Sequence, residues 1–221
     1  MNFEPASWWE SLLGGLSHIP ATATLTLVPT IVGLGVGMFV ALATVFRLPV
    51  LRHILPAVIA VINGIPIVIM LFIFNVVAMV SFSTTGLVVG IAALSVSAIG
   101  SMSEAIRGAF TSIDVGQYEA AYAAGLTRGA ALKRIILPQV IPVAIPVLTS
   151  SVIGIMKGSS IAIAIGIMEV TNGALLPAHN SYRYLEAYFA AALIYWVIAV
   201  ALEQLSALIE RRLTRHRKVL A

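Results

Sequence analysis

The chain has 221 residues, 60% of them hydrophobic and 10% charged, with a mean hydropathy of +1.02 and a formal net charge of +4. That balance excludes a soluble globular domain, and the absence of cysteine excludes a disulfide framework and thiolate chemistry. A spanning helix takes roughly 20 apolar residues, so the length holds about five spans and leaves no room for a separate catalytic domain. The positive charge is not a nucleic-acid signal, because five of the 13 Lys and Arg lie in the C-terminal ERRLTRHRKVLA, which suits a membrane surface.

Residues 1–21, beginning MNFEPASWWESL, carry Glu4 and Glu10 but no Lys or Arg, so they lack the basic start of a cleavable signal peptide. They read as an extracytoplasmic segment, with Trp8 and Trp9 as an interfacial aromatic anchor ahead of a transmembrane domain over 22–213. The first span is expected at 22–46, where Gly33, Gly35 and Gly37 allow close helix packing in lipid. The second is expected at 53–80, with Asn63-Gly64-Ile65-Pro66 in its middle. Pro66 has no N–H to give residue 62, so this span should kink or break. The third covers 85–108 and ends in SMSEAIRGAF. A polar segment over 111–138 follows, then a fourth span at 139–157 with Pro138, Pro142 and Pro146 four apart. KGSSIAIAIGIMEV and a partly polar stretch lead to a fifth span at 185–208 and a basic tail at 214–221.

Charge placement orients these spans. Arg47, Arg52, Arg128, Lys133, Arg134, Arg211, Arg212, Arg215, Arg217 and Lys218 all fall on one side if the N-terminus lies on the other. Glu4, Glu10, the uncharged turn SFSTTG, Glu169, Arg183 and Glu186 take the opposite side. The positive-inside rule then gives an extracytoplasmic N-terminus and a cytoplasmic C-terminus, with the polar segment in the cytoplasm.

Within that segment, EAAYAAGLTRGAALKRIILP contains Glu119-Ala120-Ala121, Gly125 after three residues, and Ile135, Leu137 and Pro138 after nine more. The stretch GQYEAAYAAG offers a short helix whose small side chains admit close approach by another protein. Gly125 supplies a bend, with positive φ as at a helix C-cap, and Pro138 is expected to open the next helix where a missing N–H costs little. A short helix held across the membrane plane would act as a lever on the spans.

This spacing is that of the EAA–x3–G–x9–I–x–LP loop, and the chain resembles the polar amino-acid uptake family of ABC-importer permeases over residues 16–213. The third span keeps Glu104, Arg107 and Gly108 of the family's Ala-Tyr-x-x-Glu-x-x-Arg-Gly pattern but lacks the Tyr. Asp114, Gly116, Gln117 and Glu119 fit the lead into the loop, and LPQVIPVAIP fits the start of the next span. KGSSI keeps Lys157 and Ser160 of a Lys-x-Thr-Ser-Leu element, with Ser159 for Thr, and IGIMEV resembles Ile-Gly-Val-x-Glu with Glu169 last. Asn63 stands where the family's Arg-Gly-Thr-Pro-like turn has Arg. The departures at Asn63 and Ser159–Ile161 bear on substrate choice.

The resemblance implies an all-α integral membrane protein with five transmembrane helices, a cytoplasmic coupling helix and the type I ABC-importer permease fold, multi-pass in the bacterial cell membrane. It implies a second permease, as homo- or heterodimer, two cytoplasmic ABC ATPase subunits docked on the EAA loops, and an extracytoplasmic solute-binding protein that delivers a polar amino acid. ATP and Mg would bind the ATPases and no cofactor this chain, which lacks a G-x-x-x-x-G-K-[ST] cradle. The overall pattern leans to the cystine and sulfur amino-acid branch, with glutamine, arginine and histidine also open.

Ionisable groups at membrane depth are costly unless paired or facing water. Glu104 and Arg107, three apart, form either a structural ion pair or pathway charges for a substrate ammonium or carboxylate. Lys157 with Gly158, Ser159 and Ser160 offers a cradle for a carboxylate or carbonyl, or Lys157 snorkels to the outer interface. Glu169 would pair with Lys157 or meet the delivering protein. Asn63, Gly64 and Pro66 free backbone carbonyls at mid-membrane, as transporter binding regions do. His179 has no second His or Cys at metal-ligand spacing, so no metal site is expected. An intramembrane hydrolase using Ser101 or Ser103 lacks a base at membrane depth. An ion-coupled secondary transporter or channel is the remaining alternative, and it leaves the EAA spacing unexplained.

Overall fold

The computed structural model describes residues 3–81 and 85–214, and every regular element among them is helical. Residues 82–84 of the SFSTTG turn and the basic tail from 215 lie outside the described residues. The segment ahead of the first span, expected only as an anchor, is itself a helix, α1 (Pro5–Ser17), opened by a proline where no N–H is needed. The first span, α2 (Ile19–Val45), follows after one residue.

The second span is two helices, α3 (Leu51–Gly64) and α4 (Ile67–Ser81), meeting at 97°. Ile65 is extended (φ −89°, ψ 123°), because the ring of a following proline disfavours the helical region for the residue before it. Pro66 then donates nothing back. Among the described residues four helices are individually long and apolar enough to cross a membrane, and counting this broken pair as one span gives five. The third is α5 (Gly86–Thr111). α6 (Val115–Ala123) and α7 (Arg128–Ala131) follow, and from Arg128 the chain stays helical to Ile165. That run comprises α7, a π turn over Leu132–Ile136, α8 (Leu137–Ser159) and a 3-10 turn over Ser160–Ile165. Two short helices, α9 (Val170–Leu175) and α10 (Ala178–Ser181), lead to the last span, α11 (Tyr184–Thr214).

Two apolar clusters hold opposite ends of the bundle. At one end Ala41 of α2, Ile106 and Phe110 of α5, Ile136 of the π turn and Val140 of α8 are all buried together. At the other, Leu12 of α1 packs on Val170, Ala190 and Ile194, with Trp8 against them. Trp9 on the free side of α1 is 54% exposed. α1 lies so close to α9 that a Cβ on Gly14 would come within 2.4 Å of the Gly173 carbonyl oxygen. Arg183 bridges Glu4 (3.1 Å) and Glu186 (3.4 Å), which ties the start of α1 to the start of α11.

One carboxylate completes that end. Glu169 is fully buried and caps α9, its Oε1 accepting the N–H groups of Thr171 (2.8 Å) and Asn172 (3.1 Å). Its Oε2 accepts the hydroxyls of Tyr195 on α11 (2.5 Å) and Thr22 on α2 (3.4 Å). The Thr22 oxygen in turn accepts the Val170 N–H at 3.1 Å. Both uses expected for Glu169 are therefore corrected. It makes no ion pair with Lys157 among the described residues, and it has no surface to offer a partner. The reason is local: a helix N-terminus with unsatisfied N–H groups takes the nearest acceptor.

Removing that acceptor would leave two N–H groups and two hydroxyls without their partner. Glu169→Ala should cost about 2–4 kcal/mol and Tyr195→Phe about 1 kcal/mol. Thermal unfolding in detergent would register both, and an unchanged midpoint for Glu169→Ala would contradict the arrangement.

Candidate functional site

At the end of the bundle where α2, α5 and α8 converge, residues 112–138 form a compact helical unit. Asp114 starts it by accepting the Gly116 N–H at 2.7 Å, which caps α6. A nine-residue helix is marginal alone, and α6 is held by Tyr118, which packs with Leu132, Ile135 and Leu137 on the cluster around Phe110 and Ile136. Burial, and then Tyr122 beside it, pushes the Tyr118 hydroxyl above its ordinary pKa, so the anchor is neutral at physiological pH. Of the EAA triplet, Ala121 is buried at 5% exposure while Glu119 and Ala120 face outward.

Gly125 ends α6 with φ +78°; its N–H meets the Tyr122 carbonyl at 2.9 Å, and the Leu126 N–H meets that of Ala121 at 3.1 Å. This is the two-bond left-handed helix termination that favours glycine. Nothing lies within 4 Å of where a Cβ would stand, so the demand for glycine is conformational rather than steric. Thr127 then caps α7 by accepting the Ala130 N–H at 3.3 Å.

Pro138 is the second residue of α8, the early position expected of it, but α8 does not start from a loop. The helix enters from Arg128, and the Leu137 N–H reaches back five residues to the Leu132 carbonyl in a π turn. A wider turn just before the proline carries the ladder across the donor that the proline lacks. Within the Ile135-x-Leu137-Pro138 element, the fully buried side chain is the spacer Ile136, and Ile135 and Leu137 flank it half-buried.

The polar groups at membrane depth divide into two sets. Asn63, Gly64 and Pro66 are exposed at the break between α3 and α4. The Asn63 amide lies across Gly100 of α5, where a Cβ would come within 2.2 Å of its Oδ1. Glu104 stands one turn further along the same face of α5 and binds Arg107 through Nε (3.1 Å) and Nη2. The two side chains are 39% and 43% exposed within the single chain, so this face must meet protein or water rather than hydrocarbon. Lys157 is exposed on α8, and its neighbour Gly158 abuts Ile67 at the start of α4.

The other set is taken up by the protein's own backbone and hydroxyls, with Ser159 and Glu169 buried and Ser160 part-exposed. Ser159 is fully buried and donates to the Met156 carbonyl at 2.7 Å, and Ser160 donates to that of Lys157 at 2.6 Å. Both hydroxyl protons are committed to the helix backbone, and Glu169 is engaged as described above. An apolar cavity of about 190 Å³ lies between α2, α8 and α11, lined by Thr22, Thr26 and Met156 among others, and none of the exposed polar groups borders it. Among the described residues no cluster of His, Asp or Glu could hold a metal ion. Gly100 and Tyr195 carry no sequence signal, since a lone glycine or tyrosine in an apolar span reads as packing.

Residues 33–215 match the family described as binding-protein-dependent transport system inner membrane component. The chain is 31% identical to the probable amino-acid permease protein YxeN of Bacillus subtilis, over 94% of this chain and 96% of that one. It is 33% identical to the L-cystine transport system permease protein TcyB of the same organism, over 95% and 89%. Its fold matches a chain of the structure described as an amino acid ABC transporter with histidines, with a TM-score of 0.87, 29% identity, and coverage of 96% and 100%.

Alanine at position 125 would force a side chain into the left-handed region, at about 1–2 kcal/mol. Gly125→Ala should therefore fray the end of α6 and speed amide hydrogen exchange over residues 120–126 by about tenfold. Exchange at the parental rate would show that the turn does not need glycine.

Proposed function

The chain belongs to the family of inner-membrane components of binding-protein-dependent transport systems, and from that premise we propose that it is the permease half of an ATP-driven importer of a polar amino acid. It is a multi-pass membrane protein and a transport subunit rather than an enzyme. ATP and Mg belong to two ATPase subunits that dock on the cytoplasmic side. A second permease, identical or related, completes the pathway, and an extracytoplasmic binding protein delivers the substrate. The N-terminus is extracytoplasmic and the C-terminus cytoplasmic, in line with the basic residues that flank the spans.

The observation that carries this reading is the unit from Asp114 to Pro138. It presents Glu119, Ala120 and the Gly125 turn outward, while Tyr118 and Ile136 fasten it to the ends of three spans. When the ATPases close on ATP, two such helices draw together. Close-packed interiors transmit displacement rather than absorb it, so α2, α5 and α8 move with the coupling helix and the cleft between the halves opens outward. Release of the hydrolysis products reverses the motion, which gives alternating access.

The cleft wall is the face carrying Asn63, Glu104, Arg107 and Lys157. Glu104 suits a substrate ammonium, and Lys157 or Arg107 a carboxylate, which fits a zwitterion. Among polar amino acids we favour cystine or another sulfur amino acid. The overall sequence pattern and the likeness to a cystine permease support it, with glutamine, arginine and histidine as competitors.

Two measurements test the proposal. The chain should co-purify with an ATPase subunit, and Glu119→Lys or Gly125→Asp should abolish that association; undiminished association with either substitution would contradict the docking site. A thermal-shift screen of the delivering binding protein should show its largest stabilisation with L-cystine. A larger shift with glutamine, arginine or histidine would reassign the substrate, and none with any amino acid would sink the amino-acid reading.

A further inference from the structure

Tyr118 gives α6 one apolar anchor on the membrane-spanning helices. With the buried Ala121 it forms one short apolar face, on which a helix of nine residues can still rock, and a rocking lever transmits little. A second point of attachment exists. The side-chain amide of Gln139, the third residue of α8, donates to the Gln117 side-chain oxygen of α6 at 3.2 Å and to the Ile135 carbonyl at 2.9 Å. Both Nε2 hydrogens are thereby used, one on each element. Ile135 belongs to the π turn, where the helical ladder changes pitch before Pro138. Gln139 thus joins the coupling helix to the irregular turn through which helix enters the membrane. The two glutamines face each other across 22 positions of chain.

We infer that Gln139 is a positioning residue for transport: its amide clamps α6 to the π turn, so that displacement of the coupling helix moves α8 instead of rocking α6 on its apolar face. The inference rests on the reading of the chain as an ATP-driven permease. The amide bond to Gln117 is exposed, and a hydrogen bond of that kind contributes little to net stability. Gln139→Leu should accordingly fold, insert and hold its ATPase. Its defect is in coupling, where substitutions along a mechanical connection shift linkage between sites by about fivefold.

The donor and acceptor roles make the effect asymmetric. Gln117 only accepts in this contact, so Gln117→Glu keeps an oxygen for Gln139. Gln139 only donates, so Gln139→Glu loses both contacts and places a carboxylate against a carbonyl.

The test uses the full transporter, with its ATPase and binding protein, in proteoliposomes supplied with a radiolabelled mixture of L-amino acids that includes L-cystine. Substrate accumulated per ATP hydrolysed is the readout. Gln139→Leu and Gln139→Glu should lower that ratio by about fivefold, with basal hydrolysis and ATPase association within about twofold of the parent. Gln117→Glu, which keeps the accepting oxygen, should lower the ratio less than Gln117→Leu does. Gln117→Leu should match Gln139→Leu, and the double leucine variant should be no worse than either, as two members of one contact require. A parental ratio for Gln139→Leu would overturn the inference while leaving the permease reading intact. So would loss of ATPase association, which would make Gln139 a docking residue, or additive losses in the double variant. A parental chain with no ATP-dependent uptake would overturn the permease reading and the inference with it.

Discussion

In hydrocarbon a backbone N–H or C=O needs a partner inside the protein, so each departure from regular helix among the described residues frees groups that must be met another way. At the α3–α4 break, Ile65 turns extended before Pro66, its N–H on the Ile62 carbonyl at 3.3 Å, and the neighbouring Asn63 amide lies against Gly100 of α5. At Leu132–Ile136 the ladder widens into a π turn ahead of Pro138, and the Gln139 amide adds a donor to the Ile135 carbonyl. Beyond α8, the 3-10 turn ends at Gly166 in the left-handed region (φ +76°), and the Glu169 carboxylate receives the first N–H groups of α9. Regular helix gives the spans; these exceptions mark where the molecule binds, bends and is held.

The exceptions also divide the molecule mechanically. The end built on α1 and α9 is cross-tied: Glu169 links α2, α9 and α11, Arg183 links α1 to α11, and the Gly14–Gly173 contact presses α1 onto α9. The opposite end holds α6 through an apolar cluster and an amide bridge, leaving Glu119 and Ala120 outward. Between them lies α5, which meets Asn63 through the gap at Gly100 and presents the Glu104–Arg107 pair on the same side. On the proposed reading, a displacement at the α6 end would reach the polar face through the close-packed α5, against the cross-tied opposite end.

Much of this was legible in the sequence, for identifiable reasons. Apolar runs and the Asn63–Pro66 interruption are local, so the spans and the broken helix follow from them, although the 97° angle depends on how α4 packs against α5 and the 3-10 turn. Positive φ at Gly125 is likewise local, since the turn chemistry leaves glycine little competition. The helix at 5–17 was missed because a short amphipathic stretch takes its stability from partners distant in sequence, here α9 and α11. Pro138 marks the start of α8, as proline commonly does, but the π turn that carries helix into it leaves no pattern in composition. Lys157, Ser159 and Ser160 looked like one cradle by adjacency, but consecutive helical residues point different ways, and Ser159 turns inward. Glu169 was read as a charge seeking a cation, when the helix beginning at Val170 already supplied its donors.

The central claim is that a motor bound at the α6 end drives this chain, and uptake into sealed proteoliposomes tests it most directly. With the ATPase and enclosed ATP present, and the binding protein outside, the account predicts amino-acid accumulation that stops when either ATP or the ATPase is left out. Accumulation driven by an ion gradient across vesicles that hold this chain without any ATPase would contradict it.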